Sequence, residues 1–116
     1  MRAGACALRP GVEALIRTAR ARGLRLAICT TISRANVEVL LEATLGRDGL
    51  GLFDVLVAGD DVAAKKPAPD AYFKVLSLLA LPASACLAFE DSRNGLVAAT
   101  AAGLATIITP GLYTLR

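Results

Sequence analysis

Thr30, Thr31, Lys66, Glu90 and Asp91 are the residues of this chain whose types and positions could do chemistry together. Thr30 and Thr31 directly follow an apolar run and offer hydroxyl and backbone N–H donors. Lys66 lies in the loop Lys65-Lys66-Pro67-Ala68-Pro69-Asp70 and brings a fixed positive charge. Glu90 and Asp91 close another apolar run with two hard oxygen ligands. Moving a phosphoryl group calls for this set, because most of that catalysis is positioning and neutralising spread negative charge, with magnesium held by one or two carboxylates. Each part also has a plainer reading. Thr-Thr-x-Ser after a strand is ordinary helix-start capping, a lysine in a proline-flanked loop is usually solvated, and an acidic pair at a strand end is common loop chemistry. Their co-occurrence at three strand ends gives the set its weight, since ligands of open parallel sheets sit beyond the carboxyl ends of the strands.

The elements that must position these residues follow from periodicity. Pro10 suits a first helical turn, and Val12, Leu15, Ile16 and Ala19 recur at helical spacing up to Gly23, a left-handed terminator, so a helix is expected over about 10–22. Residues 24–29 form a short apolar run. Ser33 is a plausible N-cap for a helix with Val37, Leu40, Leu41 and Leu45 on one face. After the glycine-containing stretch 46–51, residues 52–58 read as a strand. The proline loop leads into an amphipathic helix through Tyr72, Phe73, Leu76 and Leu79, which Leu81-Pro82 ends. Residues 86–89 form a third run, a small-residue helix spans about 94–102, Gly103 caps it, and 104–109 make a fourth strand. Strands alternating with helices at this spacing imply parallel pairing through right-handed crossovers.

Composition narrows the class. The chain has 116 residues, room for one small domain. Apolar residues make up 55% but aromatics only 4%, a core of Leu, Val, Ile and Ala that suits an α/β sheet covered by helices. The net charge is +3. Arg2, Arg9, Arg17, Arg20, Arg22 and Arg25 crowd the first quarter, yet without interleaved aromatics or a sustained basic stripe they read as a solvated helix face, and no nucleic-acid partner is expected. Cys6, Cys29 and Cys86 have no CxxC spacing and no histidine to join them in a zinc site, so they read as free thiols. Their odd number, with an opening MRAGACALRP too short for a signal or transit peptide, points to a reducing compartment, cytoplasm or plastid stroma, and away from secretion. Residues 94–115 carry no charge over a membrane-spanning length, but their glycines, Pro110 and threonines favour a helix followed by a strand, so no membrane partner is expected.

Four stretches carry a resemblance. LRPGVEALI, LRLAICTTIS, FDVLVAGDDVAAKKPAPDAY and CLAFEDSRNGLVAATAAGLATIIT together resemble the haloacid dehalogenase (HAD) superfamily, in its CbbY-like sugar-phosphate phosphatase branch, over about residues 8–114. KKPAPDAY and FEDSRNGLVAA, at their mutual spacing, are the specific signals. The resemblance implies a three-layer αβα Rossmann-like (HAD-like) fold and a hydrolase acting on a phosphorylated sugar, such as a pentulose bisphosphate, with Mg2+. It makes Thr30 the hydroxyl that bonds the transferring phosphoryl group, with Thr31 beside it. It makes Lys66 the lysine that binds phosphate and steadies the nucleophile, and Asp91 with Glu90 the acidic motif that holds magnesium.

The resemblance also exposes a departure. HAD phosphatases attack phosphorus with the first aspartate of an Asp-x-Asp motif, the second serving as general acid and base, and this sequence contains no Asp-x-Asp. Asp60-Asp61 is adjacent and falls in the wrong place in the order. The cap domain that selects the sugar is not present either. In the family's strand order 5-4-1-2-3 the nucleophile strand is central, so the four strands read here are numbers 2 to 5 and the sheet lacks its middle. Two strand edges would carry unpaired N–H and C=O groups. The expectation is therefore a partial HAD-like core domain over 1–116 with little activity alone, which closes the gap, binds the missing N-terminal core half, or is a truncated piece. The alternative is a non-catalytic phosphate- or magnesium-binding or half-domain pairing module. Order argues against a third reading, a two-component receiver domain, since its acids precede its Thr and Lys.

Overall fold

The computed structural model describes residues 6–8, 11–109 and 113–115. Its elements run β1 (Cys6–Leu8), α1 (Val12–Ala21), β2 (Ala27–Cys29), α2 (Arg34–Leu45), β3 (Val55–Val57), α3 (Asp70–Leu79), β4 (Leu87–Glu90), α4 (Arg93–Ala101), β5 (Ala105–Ile108) and β6 (Tyr113–Leu115). The expected alternation of helices and strands is present. Pro10, the proposed start of the first helix, lies outside the described residues. Gly23 and Gly103 do take positive φ, at 79° and 87°. Ser33 caps α2 by accepting from the Asn36 N–H at 3.3 Å, and Ser92 caps α4 by accepting from the Gly95 N–H at 3.1 Å, which starts that helix slightly earlier than expected. The helix α3 stops at Ala80, in left-handed conformation at φ 55°, before Leu81-Pro82 is reached.

Two apolar runs are shorter as strands than their composition suggests. Over 24–29 only Ala27–Cys29 is strand, and over 52–58 a single 3-10 turn, Leu50–Leu52, precedes Val55–Val57. The reason lies at Asp54, whose Oδ2 accepts the Leu26 N–H at 2.8 Å while its own N–H donates to the Leu26 C=O at 2.7 Å. That bond pair closes the ladder at its amino end. Glu90, expected just past its strand, is its last residue.

The parallel sheet comes in two pieces. The strand β2 pairs with β3 (Ala27↔Val55 to Cys29↔Val57) and β4 with β5 (Leu87↔Ala105 to Glu90↔Ile108), both parallel, and among the described residues no ladder joins β2 to β4. The break falls where the sequence placed a missing central strand. An antiparallel ribbon of β1 and β6, which the sequence did not suggest, lies beside α2.

Helix cover explains the core. Val37, Leu41 and Leu45 of α2, with Ile16 of α1, cover the Ile28 and Leu56 face of the β2–β3 pair. Ala71, Val75 and Leu79 of α3 cover its opposite face, around Val57, Val55 and Ala27. This pair has all three layers. The β4–β5 pair has helices on one face, where Tyr72 of α3 and Ala98, Ala99 and Ala102 meet Ala88 and Leu104. On its other face Leu87, Phe89 and Ile107 remain 51%, 40% and 44% exposed. The amino-terminal arginines act as tethers. Arg17 bonds Glu13 at 2.8 Å and the Leu45 C=O at 3.1 Å, and Arg20 grips both oxygens of Asp54 at 2.8 and 3.0 Å. Residues 94–115 contain most of α4 and then β5, and no helix among the described residues is long and apolar enough to cross a membrane.

Candidate active site

Lys66 stands where the two pieces of sheet come closest in chemistry. Its Nζ donates to the Cys29 C=O, at the end of β2, at 2.8 Å, and to Glu90 Oε2, at the end of β4, at 2.6 Å. Both side chains are nearly enclosed, 8% and 7% exposed. The Cys29 carbonyl is free for this because residues of a parallel strand alternate between neighbours. Leu26 and Thr30 bond to β3, so Ala27 and Cys29 turn their backbone groups the other way. The Glu90 C=O accepts from Thr109 on the β5 side, so Leu87 and Phe89 likewise turn theirs away from β5. Lys66 thus caps the carboxyl end of the gap between the strands.

Two further groups fix this pair. The Tyr72 hydroxyl, from the first turn of α3, donates to the same Glu90 Oε2, and its ring centroid lies 5.0 Å from the Lys66 ammonium. Burial, and then the bond to Glu90, push the Tyr72 phenol well above its ordinary pKa, so it stays a donor. Gly95 supplies the floor, since a Cβ there would overlap the Glu90 carboxylate. Burial pushes the neighbouring Cys29 thiol up to about 11, against the Lys66 charge that lowers it.

Thr30 and Thr31 follow Cys29 on a tightly held turn. The Thr30 N–H donates to the Val57 C=O at 3.0 Å, its Oγ1 accepts from the Ile32 N–H at 3.3 Å, and the Gly59 N–H donates to the Ile32 C=O at 2.7 Å. Gly59 has to be glycine, because a Cβ would overlap the Thr31 C=O. Thr30 is half-buried and Thr31 exposed. Asp91 is exposed one residue beyond Glu90. Direct contact therefore joins Lys66 and Glu90, while Thr30 and Asp91 flank that contact by one residue each along β2 and β4.

The adjacent acids Asp60 and Asp61 have another occupation. Asp60 accepts from the Arg34 N–H at 3.0 Å, and Asp61 from the Ala58 N–H at 2.8 Å and from Arg34 Nη2 at 2.6 Å. The Ala58 N–H, aided by Arg34, holds the Asp61 carboxyl below its usual range. Sequence reasoning missed Tyr72, Gly59 and Gly95 as site residues. Tyr72 was counted as one apolar position of a helix, although a buried tyrosine hydroxyl normally requires a partner. Gly59 lies two residues past β3, and Gly95 lies in the first turn of α4, where an isolated glycine costs helix stability and so points to a packing reason.

A magnesium ion would find a partial donor set. Among the described residues no three acidic, cysteine or histidine groups gather. Asp91 presents an open carboxylate, and Glu90 behind it is committed through Oε2 to Lys66 and Tyr72. That suits an ion which keeps several waters and takes only one or two protein carboxylates.

Fold and site together define a parallel α/β domain of the Rossmann type, with its polar groups at the carboxyl ends of the strands. The chain belongs to the haloacid dehalogenase-like hydrolase family, whose profile matches residues 2–103. It is 56% identical to the protein CbbY of Rhodobacter capsulatus over 96% of its own length and 49% of that protein's. It superposes with a TM-score of 0.87 on the crystal structure of CbbY from Rhodobacter sphaeroides in complex with phosphate, at 50% identity, covering 90% of this chain and 47% of that one. The same protein, as an Asp-to-Asn mutant, has been solved with xylulose-(1,5)bisphosphate, with the same TM-score, identity and coverage. The chain spans about half the length of the curated relatives it matches.

Proposed function

We propose that this chain is the phosphate- and magnesium-handling part of a HAD phosphatase core acting on a phosphorylated sugar, and that turnover requires an Asp-x-Asp strand seated between β2 and β4. The observation that carries the reading is the placement of Lys66, which ties the Cys29 carbonyl to Glu90 across the gap between two unjoined parallel pairs. In this reading Thr30 and Thr31 donate to the phosphoryl oxygens from the end of β2, and Lys66 holds the phosphate and the charge around the attacking group. Asp91, with Glu90 behind it, holds magnesium. The bound ion would neutralise charge on the phosphoryl oxygens. None of these residues supplies the nucleophile or the general acid. The substrate class is taken from the relatives, one of which was solved with a pentulose bisphosphate.

The test is phosphate release from a pentulose bisphosphate. The 116-residue chain alone is expected to stay at background, and turnover is expected on adding a polypeptide that carries the Asp-x-Asp strand, with Asp91→Asn abolishing it. Robust turnover by the chain alone, lost in Asp91→Asn, would overturn the reading. Phosphate binding with no complementation would instead favour the non-catalytic module.

A further inference from the structure

We propose that Tyr72 is a positioning residue of the phosphate site: by donating its hydroxyl to the Glu90 oxygen that also binds Lys66, it keeps the lysine ammonium available to a phosphate oxygen. The inference rests on the reading of Lys66 as a phosphate-binding group and adds to it a residue outside the chemistry-bearing set. An ammonium has three donors. Two are engaged, with the Cys29 C=O at 2.8 Å and Glu90 Oε2 at 2.6 Å, which leaves one for a ligand. A buried carboxylate with lysine as its sole strong donor would draw the ammonium fully into the pair and cancel its charge. Tyr72 donates to the same Oε2, which takes up part of that charge. Its ring, 5.0 Å from Nζ, favours a cation at that place. One side chain thus tempers the acid and supports the base.

The plain alternative is that Tyr72 only packs, since its ring is buried with Ala88, Ala98 and Ala99. Inorganic phosphate titrated into the 116-residue chain, followed by amide chemical shifts, separates the two. Tyr72→Phe keeps the ring and is expected to bind phosphate roughly three- to tenfold more weakly, the scale of a fraction of a charge-assisted hydrogen bond. In a Glu90→Gln background the same change is expected to lose its effect, because there is no carboxylate charge left to temper. Replacing the tyrosines by 3-fluorotyrosine, a stronger donor of nearly the same shape, is expected to tighten binding, and this measurement stands should Tyr72→Phe fail to fold. Unchanged affinity in a folded Tyr72→Phe chain, weakening by 3-fluorotyrosine, or additive effects of the Tyr72 and Glu90 changes would overturn the inference. If Lys66→Ala weakens binding while Tyr72→Phe does not, this inference alone falls. If Lys66→Ala binds as well as the wild type, the role of Lys66 falls with it.

Discussion

Lys66→Met removes one partner of a buried ion pair and leaves the Glu90 carboxylate with Tyr72 as its remaining side-chain donor. Both charges are over nine-tenths enclosed, so the loss is set by an uncompensated buried charge, about 3–5 kcal/mol. Tyr72 still donates, which favours the low end, about 3 kcal/mol. Removing both charges in Lys66→Met/Glu90→Leu should recover about half of that, since an apolar pair is tolerated while the Tyr72 hydroxyl, now without an acceptor, still costs about 1–3 kcal/mol. For 116 residues the unfolding entropy is about 0.24 kcal/mol/K, so the single variant should melt about 12 °C below the wild type and the double variant about 6 °C below. Thermal and urea unfolding followed by far-UV circular dichroism give both values. A single variant that loses less than about 1 kcal/mol, or a double variant less stable than the single, would refute the claim that this pair holds the two pieces of sheet together.

Gly59→Ala and Gly95→Ala should each destabilise by about 1–3 kcal/mol, because the added Cβ meets the Thr31 carbonyl or the Glu90 carboxylate; urea midpoints check this, and wild-type stability in either would contradict the contact. Cys29, with its thiol at about 11 against 9.0, should alkylate about a hundredfold more slowly at neutral pH than an unburied thiol. Mass spectrometry of iodoacetamide-treated native chain reads this, and labelling at the free-thiol rate would contradict it. The Leu26 N–H and then Arg20 hold the Asp54 carboxyl below its ordinary value. Its contribution is therefore present above the unfolded value near about 4 and is lost as pH falls through the lower folded one. Urea midpoints at pH 6 and pH 3 should differ less in Asp54→Asn than in the wild type.

Where the sequence was legible, local rules and tertiary rules agreed. Ser33 caps because its side chain reaches one N–H three residues on, and α2 buries Val37, Leu41 and Leu45 at a four-residue repeat. Both features are read within one turn of chain. The split of the sheet was legible through the motif order, because the absence of one strand's motif fixes which neighbours remain unpaired. The role of Tyr72 was not legible. Its partner Glu90 lies 18 residues away, and no local pattern says that α3 will aim that hydroxyl at the end of β4. Asp60 and Asp61 were set aside from their place in the motif order, but what they do instead was not legible, because their partners, the Arg34 and Ala58 N–H groups and the Arg34 guanidinium, are brought to them by the fold. The uncovered face at Leu87, Phe89 and Ile107 was also hidden, because a fully apolar strand looks the same whether one or two layers cover it.

The Lys66–Glu90 contact links stability to the proposed chemistry in a way neither residue would alone. Hydrophobic cover on the β2–β3 pair comes from α2 and α3 and on the β4–β5 pair from α4 and α3, with Cys29 of β2 packed against both α3-containing clusters. The helix α3 and the polar bridge reach both, and the bridge lies at the end of the strands where phosphate is proposed to bind. A strand entering between β2 and β4 would offer ladder partners to the backbone groups of Ala27, Cys29, Leu87 and Phe89. Its N–H groups would then compete with Lys66 for the Cys29 carbonyl. The lysine donor so released would be available to a phosphate oxygen of the proposed site. On the proposed reading, completing the sheet would also strengthen the phosphate site, because one ammonium would serve both.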